Sequence, residues 1–348
     1  MPEEAPPPAA KYRWWWFVLL LALGGLGMYL GAPETERLRA AWHRLAGAPI
    51  ATLAIIIGGA LGLVATEAFR IAVIGRVVGT RVSAHDAWDA AVANHVMTAI
   101  TPHVGLGEPS VAYVLGTRGI PWDAAVAIPF VKFTTSLALV FTLGAGLALA
   151  GFGPPVDTWI AASGIALFVV IATLTTVILV ISARPPLARR VIAGMQGWFS
   201  RRRWFASETA QARITRVADV VTGMIERLEG VRRTTWRGVA ILCAVHLVYY
   251  ASYIAPLVGL AVLLGDPPLI ELSLRALVYL CFVFAMPTPG GAGPSEAAAG
   301  LFFADLVAPA DAIVIVVVFR AATFYLQVAI GVVYLPVAAA LRRRATTT

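Results

Sequence analysis

The fold of this chain is decided by a segment that occurs twice. Its first copy reads Thr101-Pro102-His103-Val104-Gly105-Leu106-Gly107-Glu108, and its second reads Thr288-Pro289-Gly290-Gly291-Ala292-Gly293-Pro294-Ser295-Glu296. The correspondence continues at a shift of 188 residues, in the pairs Pro121/Pro309, Asp123/Asp311, Lys132/Arg320 and Thr135/Thr323. Each copy breaks an apolar segment with Pro and Gly, adds a carboxylate and places a cation in the next apolar segment. Paired interruptions in the two halves of a membrane protein indicate a transport site.

The composition indicates a polytopic α-helical membrane protein. Hydrophobic residues make up 59% of the chain, charged residues make up 13%, and the mean hydropathy is +0.80, values far from those of soluble domains. The net charge of +8 comes mostly from arginine blocks, which are typical of the cytoplasmic side of a membrane protein rather than of a nucleic-acid surface. Cys243 and Cys281 both lie in apolar segments and are expected to be buried thiols.

Several apolar runs are long enough to cross a bilayer, which takes about 20 helical residues. We predict six spans, at 14–30, 50–78, 121–151, 156–182, 236–264 and 309–341. Two broken segments, 84–118 and 269–306, are predicted to be re-entrant helical hairpins. The predicted organisation is a tail, first helix and outer loop at 1–49, a first repeat at 50–182, a basic connector at 183–235, a second repeat at 236–341 and a basic tail at 342–348.

The distribution of arginine predicts the orientation. With a cytoplasmic N-terminus, the basic blocks face inward, namely Arg76, Arg81, Arg118, the connector 183–235 and Arg342-Arg343-Arg344. Only the outer loop 31–49, with Arg37, Arg39 and Arg44, departs from this rule. In this topology the repeats are inverted, and their hairpin tips meet near the membrane midplane. We expect an integral protein of the cell (inner) membrane with both termini in the cytoplasm.

Glu108 and Glu296 are the first candidates for chemistry. A carboxylate inside a membrane segment is costly unless it is paired, hydrated or used. Each one follows a Pro/Gly-rich turn at the start of a short predicted helix, where exposed N–H groups favour an anion. Two roles stay open. Each glutamate is a cap or the ion-pair partner of the cation 24 residues later, Lys132 or Arg320, or it gates the site or couples protons.

The two cations lie deep in predicted spans, either as partners of the glutamates or as ligands of a phosphate group. The glycines of the turns either bring backbone amides to a ligand or allow tight packing. The predicted substrate-binding set consists of Glu108, Glu296, Lys132, Arg320, Asn94, Gly105, Gly107, Gly290, Gly291 and Gly293. We predict no catalytic constellation, metal site or cofactor.

Three further patterns lie outside this set. Glu67 and Arg70 are three residues apart and are predicted to form an intrahelical ion pair. A polar stripe with helical spacing is either ordinary packing or the wall of a polar cavity, and consists of His246, Tyr249, Tyr250 and Tyr253. The connector 183–235 interleaves arginine with apolar residues, which predicts amphipathic helices on the inner membrane surface, held by anionic headgroups. Regulation or partner docking is the alternative for the connector.

The first copy of the segment resembles a signature of the flippase-like membrane domain of lysyl-phosphatidylglycerol synthases, a domain also found in stand-alone membrane proteins. The resemblance rests on the pattern Thr101-Pro102-x5-Glu108-Pro109 with Gly105, Gly107, Tyr113, Gly119 and Pro121, and on Pro287-Thr288-Pro289-Gly290-Gly291-Ala292-Gly293-x2-Glu296. It covers roughly 50–341. The family often has an Arg with an Asp three residues on, where this chain has Lys132 and Thr135, and His103 and Val104 replace small residues.

The resemblance implies movement of a lipid, or of a lipid-linked headgroup, between leaflets. We therefore expect a translocator of an anionic phospholipid or polyprenyl-phosphate headgroup, driven by an ion or lipid gradient because no ATP-binding motif is present. The expected partners are anionic membrane lipids, together with a second copy of the chain or an envelope-synthesis partner, and no nucleic acid.

Two alternatives from other classes remain. The first is a membrane enzyme acting on a lipid-linked sugar, with Glu108 or Glu296 as general base. The second is a non-transporting membrane subunit of a cell-envelope complex, which docks its partner through the connector 183–235.

Overall fold

The computed structural model describes residues 35–101, 104–153, 173, 184–202, 207–232, 236–286, 294–303 and 305–347. Within these ranges every regular element is a helix and no strand is present. The predicted all-α class is therefore confirmed for the described part of the chain.

The helices are α1 (Thr35–Ala46), α2 (Pro49–Val77), α3 (Ala84–Ile100), α4 (Glu108–Thr117), α5 (Trp122–Leu147), α6 (Pro185–Ser200), α7 (Glu208–Arg232), α8 (Trp236–Leu264), α9 (Leu269–Ala285), α10 (Pro294–Phe303), α11 (Pro309–Arg320) and α12 (Leu326–Thr347). A 3₁₀ turn at Val104–Gly107 precedes α4. One π-helical turn, Ala148–Phe152, extends α5, and another, Ala321–Tyr325, joins α11 to α12.

Among the described residues, four helices are long and apolar enough to cross a membrane: Pro49–Val77, Trp122–Phe152, Trp236–Leu264 and Ala310–Ala338. They coincide with four of the six predicted spans. The other two predicted spans, 14–30 and 156–182, lie outside the described residues.

The two halves of the chain repeat the same series of helices. Helices α2 and α8 have 29 residues each, α3 and α9 have 17 each, and α4 and α10 have 10 each. A long helix follows the short one in both halves, α5 in the first and the continuous α11–α12 in the second. The repeat that was visible in a few residues thus extends to helix order and length.

Helices α2 and α8 pack closely and run antiparallel. A Cβ atom built at Gly59 would lie 2.3 Å from Cγ of Pro256, and one at Gly259 would lie 3.2 Å from Cδ1 of Ile55. Contact positions therefore rise along α2 while they fall along α8. Opposite directions of the first helices are what an inverted repeat requires.

In each broken segment the two described helices pack against each other, α3 on α4 and α9 on α10, and an ion pair joins their far ends. We call each helix pair a hairpin. In the first hairpin, Nη2 of Arg118, just after α4, donates to Asp89 Oδ2 near the start of α3 (2.6 Å). In the second, Nη1 of Arg275 near the start of α9 donates to Asp305 Oδ1 just after α10 (2.6 Å), and this bond holds the pKa of the Asp305 carboxyl below its ordinary value. The two ion pairs occupy equivalent positions. The carboxylate comes first in sequence in the first hairpin, and the arginine comes first in the second. Asp89 also accepts a hydrogen bond from Tyr334 Oη of α12 (2.8 Å).

The turns that flank the first hairpin use glycine at a left-handed position. Gly79 follows α2 with φ of 79°, and Gly119 follows α4 with φ of 85°. At the first of these, the N–H of Thr80 bonds to the carbonyl of Gly75 at 2.8 Å, which completes a Schellman ending. A side chain with a Cβ is disfavoured at such φ values, so glycine fixes where the helices before and inside the hairpin end.

The outer loop contains the amphipathic helix α1, which packs against the end of the bundle where α2 begins and α8 ends. Ala41 and Leu45 are buried there, and Arg44 pairs with Asp311. We call this the outer end, following the predicted topology, and the opposite end the inner end. Arg44, one of the three arginines that depart from the positive-inside pattern, is thus neutralised by a specific partner.

The connector forms the two predicted amphipathic helices, α6 and α7, at the inner end. An apolar groove of about 330 Å³ lies between them. The second helix also packs directly on the bundle, where Met224, Ile225 and Leu228 are buried with the inner parts of α2 and α5. Contact of the connector with anionic headgroups stays a prediction, whereas its attachment to the bundle is visible.

The tip of the first hairpin is closed by Gly107. A Cβ atom at this position would lie 2.2 Å from Thr98 Oγ1, 2.6 Å from Asn94 Oδ1 and 2.8 Å from the backbone oxygen of Asn94. For Gly107 the structure therefore supports the tight-packing role.

We predict that Gly107→Ala opens the tip and destabilises the protein by about 1–3 kcal/mol, the usual cost of overpacking. The matched control is Gly62→Ala in α2, where an added Cβ meets nothing within 4 Å. Thermal unfolding in nanodiscs should show a lower midpoint for Gly107→Ala only. Equal midpoints for the two variants would contradict the packing described for the tip.

Candidate functional site

The centre of the protein is a buried carboxylate, that of Glu67 in α2. It accepts hydrogen bonds from Arg70 of the same helix, from Lys132 of α5 and from Asn94 Nδ2 of α3, the last at 2.9 Å. Glu67 itself has no exposed surface. Three helices are thus tied to one charge, and the predicted Glu67–Arg70 pair is confirmed as part of a larger network.

Lys132 joins this network to the tip of the first hairpin. Its Nζ bonds to Glu67 and lies 2.9 Å from Oε2 of Glu108, the first residue of α4. The ion pair predicted between Glu108 and Lys132 is therefore confirmed. Lys132 is completely buried between the two carboxylates, whereas the Glu108 side chain keeps 16% of its surface exposed. The predicted role of Lys132 as a phosphate ligand is untested by this geometry, which places it in a salt bridge.

Arg70 extends the network toward α8. Its Nη1 donates to Ser136 Oγ (3.4 Å) and to His246 Nδ1 (3.3 Å). Its guanidinium carbon lies 3.8 Å from the ring centroid of Tyr249, a cation–π geometry. Arg70 thus links the first helix of one repeat to the first helix of the other.

The contacts of His246 define its protonation. Because Arg70 can only donate, Nδ1 of His246 must accept, and the proton of the neutral ring lies on Nε2. Nε2 is 2.6 Å from Oγ1 of Thr135. The polar chain continues next to it, where Tyr250 Oη lies 2.7 Å from Ser136 Oγ. The histidine and tyrosines of the stripe on α8 are all buried, and two of them, Tyr249 and Tyr253, also line a cavity.

This cavity has a volume of about 60 Å³ and lies where the first hairpin meets α8, α9 and the π turn after α11. Its polar wall includes Arg70, Asn94, His95, Glu108 and Arg320. Aromatic rings from both repeats form much of the rest. A polar space of this volume is large enough to admit a few waters.

Buried polar atoms on cavity residues include some that have no hydrogen-bond partner within the described part of the chain. Among them are Nε of Arg70, Oδ1 of Asn94 and Nε2 of His95. The amide of Asn94 is oriented by Glu67, which can only accept, so its Oδ1 is the atom left over. Each such atom costs about 1–3 kcal/mol unless something bonds to it. The cavity is therefore a polar site built to hold water or a polar ligand.

Arg320 reaches the same cavity from the second repeat. It ends α11, is almost fully buried, and its guanidinium carbon lies 4.6 Å from the Phe324 ring centroid. The π-helical turn Ala321–Tyr325 begins at the next residue, and such turns are frequent at functional sites. The two arginines thus have matching settings, each stacked on a ring and each facing the cavity.

The second hairpin tip cannot be placed in the same detail. Glu296 is the third residue of α10, but its side chain lies outside the described residues, as do Gly290, Gly291 and Gly293. Gly105 belongs to the 3₁₀ turn before α4. Of the predicted set, the structure brings together Asn94, Glu108, Lys132 and Arg320 around the cavity or its ion-pair network.

The sequence predicts Glu67 and Arg70 only as a local ion pair, because their three-residue spacing explains the pair without any third partner. Their position at the centre of a network between helices is not predicted. The signal was present, since ionisable residues in a membrane segment are functional candidates by default. Nothing in the sequence spacing of His95 marks it as a cavity residue.

The ion-pair network predicts a strong coupling between Lys132 and Glu108. Lys132→Met leaves two buried carboxylates short of a partner and should cost about 3–5 kcal/mol. Adding Glu108→Gln removes one of those charges, so the double variant should recover at least about 1 kcal/mol relative to additivity. Chemical unfolding of the single and double variants measures this cycle. Additive losses would mean that the two side chains do not share an ion pair.

Of three comparisons with known proteins, one identifies a family. A search of curated proteins found no match, and neither did a search of solved structures. The model of the lysylphosphatidylglycerol synthase TM region matches residues 9–331, most of the length of the chain. The resemblance seen in the two hairpin signatures is thereby confirmed, and the chain belongs to the lysylphosphatidylglycerol synthase TM region family.

Proposed function

We propose that this protein moves an anionic, phosphate-bearing lipid between the leaflets of the membrane. The family and the apolar helices make it a membrane protein related to lipid metabolism or translocation. We add three points to this: the protein translocates the lipid, the lipid headgroup carries a phosphate, and the membrane is the inner one. In this proposal the headgroup enters the central cavity while the acyl chains stay in the bilayer.

One observation carries the proposal: a polar cavity is lined by residues of the long apolar helices, at the junction of two repeats with opposed first helices. Polar groups in such a position are expensive, and they mark substrate paths in membrane proteins. A site placed between inverted repeats is what alternating access requires, because rocking of one repeat against the other exposes it to each side in turn. Buried polar atoms usually have a partner, so the unpartnered Asn94 Oδ1 and His95 Nε2 on the cavity wall support a polar ligand or water there.

The charge in the cavity favours a phosphate. Arg70 and Arg320 both line it, and their guanidinium carbons lie 3.8 Å and 4.6 Å from the centroid of an aromatic ring. The Nη1 and Nη2 atoms of Arg70 are bonded within the network, and its Nε is the buried donor without a partner. Guanidinium groups bind phosphate oxygens through charged hydrogen bonds. We therefore assign the headgroup contact to these two arginines in preference to Lys132, which is enclosed by carboxylates.

Glu108 is the exchangeable carboxylate in this mechanism. Glu67 is held by three donors, whereas the only described side-chain contact of Glu108 is with Lys132. Glu108 also faces the cavity. Protonation of Glu108 would end its ion pair and release one positive charge toward an incoming phosphate, so binding of the anion and uptake of a proton would support each other.

The direct test is transport in liposomes. We expect purified protein to accelerate the exchange of acyl-labelled phosphatidylglycerol between leaflets, followed by dithionite quenching of the label. Arg70→Lys and Arg320→Lys should slow this exchange roughly 10- to 100-fold, the kinetic equivalent of losing one charged hydrogen bond worth about 1.5–3 kcal/mol.

The matched control is Arg275→Lys. Arg275 is also a buried arginine, but its partners are Glu271 and Asp305 at the base of the second hairpin, and the exchange rate should change little. Exchange no faster than in protein-free liposomes would overturn the proposal. Altered lipid chemistry in the same vesicles would instead favour the enzyme alternative.

A second test addresses the proton. If Glu108 must be protonated before Lys132 can attract the phosphate, the wild-type exchange rate should rise as the pH falls. Glu108→Gln imitates the protonated form, so its rate should be independent of pH and close to the wild-type rate in acid. The test is to measure the exchange rates of both proteins between pH 5 and pH 8. If Glu108→Gln shows the same pH dependence as the wild type, Glu108 does not couple proton uptake to lipid exchange.

A further inference from the structure

At the inner end, one arginine from the connector bridges two helices of the first repeat. Nε of Arg227, on α7, donates to Oδ2 of Asp123 in the first turn of α5 at 2.6 Å. Its Nη1 donates to the backbone oxygen of Val78, at the end of α2, at 3.4 Å. We call this set, Arg227 with Asp123 and Val78, the inner clamp.

At the outer end, another arginine makes the same kind of bridge in the second repeat. Arg44, on α1, pairs with Asp311 in the first turn of α11. Its Nη1 donates to the backbone oxygen of Leu264, the last residue of α8, at 3.2 Å. We call this set, Arg44 with Asp311 and Leu264, the outer clamp.

The clamps are equivalent under the repeat, although their arginines are not. Asp123 and Asp311 correspond at the shift of 188 residues, and Val78 and Leu264 both lie at the end of a 29-residue first helix. The arginines come from α7 and α1, which lie outside the duplicated helices. The same bridge between the first and fourth helices of a repeat has thus been completed twice, from unrelated segments, at opposite ends of the molecule.

The physical chemistry of each clamp suits a contact that holds and can still open. The cation meets the negative end of one helix, and the aspartate lies at the positive end of the other, so both helix dipoles favour the bridge. Three of the four charged groups reach water, since Arg227 and Asp123 are 26% and 29% exposed and Arg44 is 49% exposed, whereas Asp311 is 7% exposed and depends on Arg44 for its neutralisation. Water can replace the bond at the three exposed groups when the helices separate.

Each clamp also spans the two helices between which a hairpin is inserted. The first hairpin, α3–α4, follows α2 and precedes α5, and the second, α9–α10, follows α8 and precedes α11. Joining the end of the first helix to the start of the fourth therefore closes the bundle over the base of the hairpin. With both clamps formed, the cavity is small and its wall is buried, with Arg70, Asn94 and Arg320 each less than a tenth exposed.

We propose that the inner and outer clamps are the two gates of the central cavity, one for each face of the membrane. This inference rests on the proposed translocation function. Opening toward the inner leaflet breaks the Arg227 bridge while the Arg44 bridge holds, and opening toward the outer leaflet does the reverse. The state described here, in which both clamps are formed, is the occluded intermediate between the two.

The test measures access to the cavity from each side. In a background with Cys243→Ala and Cys281→Ala, the reporter is Ala99→Cys, because Ala99 lines the cavity and is 3% exposed. A membrane-impermeant methanethiosulfonate reagent is applied to oriented vesicles from one side at a time. We expect Arg227→Ala to raise the labelling rate at least about tenfold from the side that carries the connector only, which corresponds to about 1.4 kcal/mol. Arg44→Ala should do the same from the opposite side only.

The matched controls lie on the same peripheral helices or beside them. Arg39→Ala removes an exposed arginine of α1, and Arg189→Ala breaks an exposed pair with Glu226 between α6 and α7. Neither should change labelling from either side. The charge exchange Asp123→Arg with Arg227→Asp should restore much of the protection, which separates a lost clamp from a misfolded protein.

Labelling that rises from both sides in each variant, or that rises equally in the controls, would overturn the gating inference. The readout needs no lipid to be moved, so it is independent of the transport assay. Side-specific labelling without lipid exchange would leave the gates standing and reject translocation. Lipid exchange together with labelling rates that do not depend on the clamps would support translocation and reject the gates.

Discussion

A carboxylate buried at membrane depth has to be neutralised, and the arrangement around Glu67 follows from that constraint. The penalty for an unpaired ion in such surroundings is several kcal/mol. Arg70 from the same helix, Lys132 from α5 and Asn94 from α3 all bond to Glu67, so this one charge joins three helices of the first repeat. Because Arg70 also contacts His246 and Tyr249 of α8, the same charge positions the second repeat and with it the cavity wall.

Much of the backbone plan could be predicted from the sequence. The Pro/Gly turns, the hairpins and the 24-residue spacing between Glu108 and Lys132 are local signals, and the predicted ion pair is present. The central role of Glu67 could not be predicted in the same way. Its bond to Lys132 joins residues 65 apart in sequence, and only the rotation of two packed helices decides whether such side chains meet. The same holds for Arg44 and Arg227, since nothing in the repeat indicates which arginine outside it will complete a bridge.

The two repeats share a backbone plan but contribute different chemistry to the cavity. The first supplies the polar network on α2, α3 and α5, whereas the second supplies much of the aromatic wall. Tyr253, for example, contacts both Phe284 and Phe319 through edge-to-face rings. The ion pairs that join the hairpin ends differ as well, since the arginine follows α4 in one and lies in α9 in the other. A duplicated fold can therefore carry an asymmetric site, because helix order constrains backbone placement far more than it constrains the sign of a charge.

The pairing of Arg44 with Asp311 has a consequence for how the chain is made. The two residues are 267 positions apart, so the outer loop is synthesised long before its neutralising partner exists. In the proposed topology, this positively charged loop must cross the membrane while the positive-inside preference still opposes it. The long apolar helix α2 that follows the loop is then the feature able to overcome that opposition during insertion. In that topology we expect the orientation of the first repeat to be set early by hydrophobicity and stabilised only late, when the last helices are inserted and Asp311 pairs with Arg44.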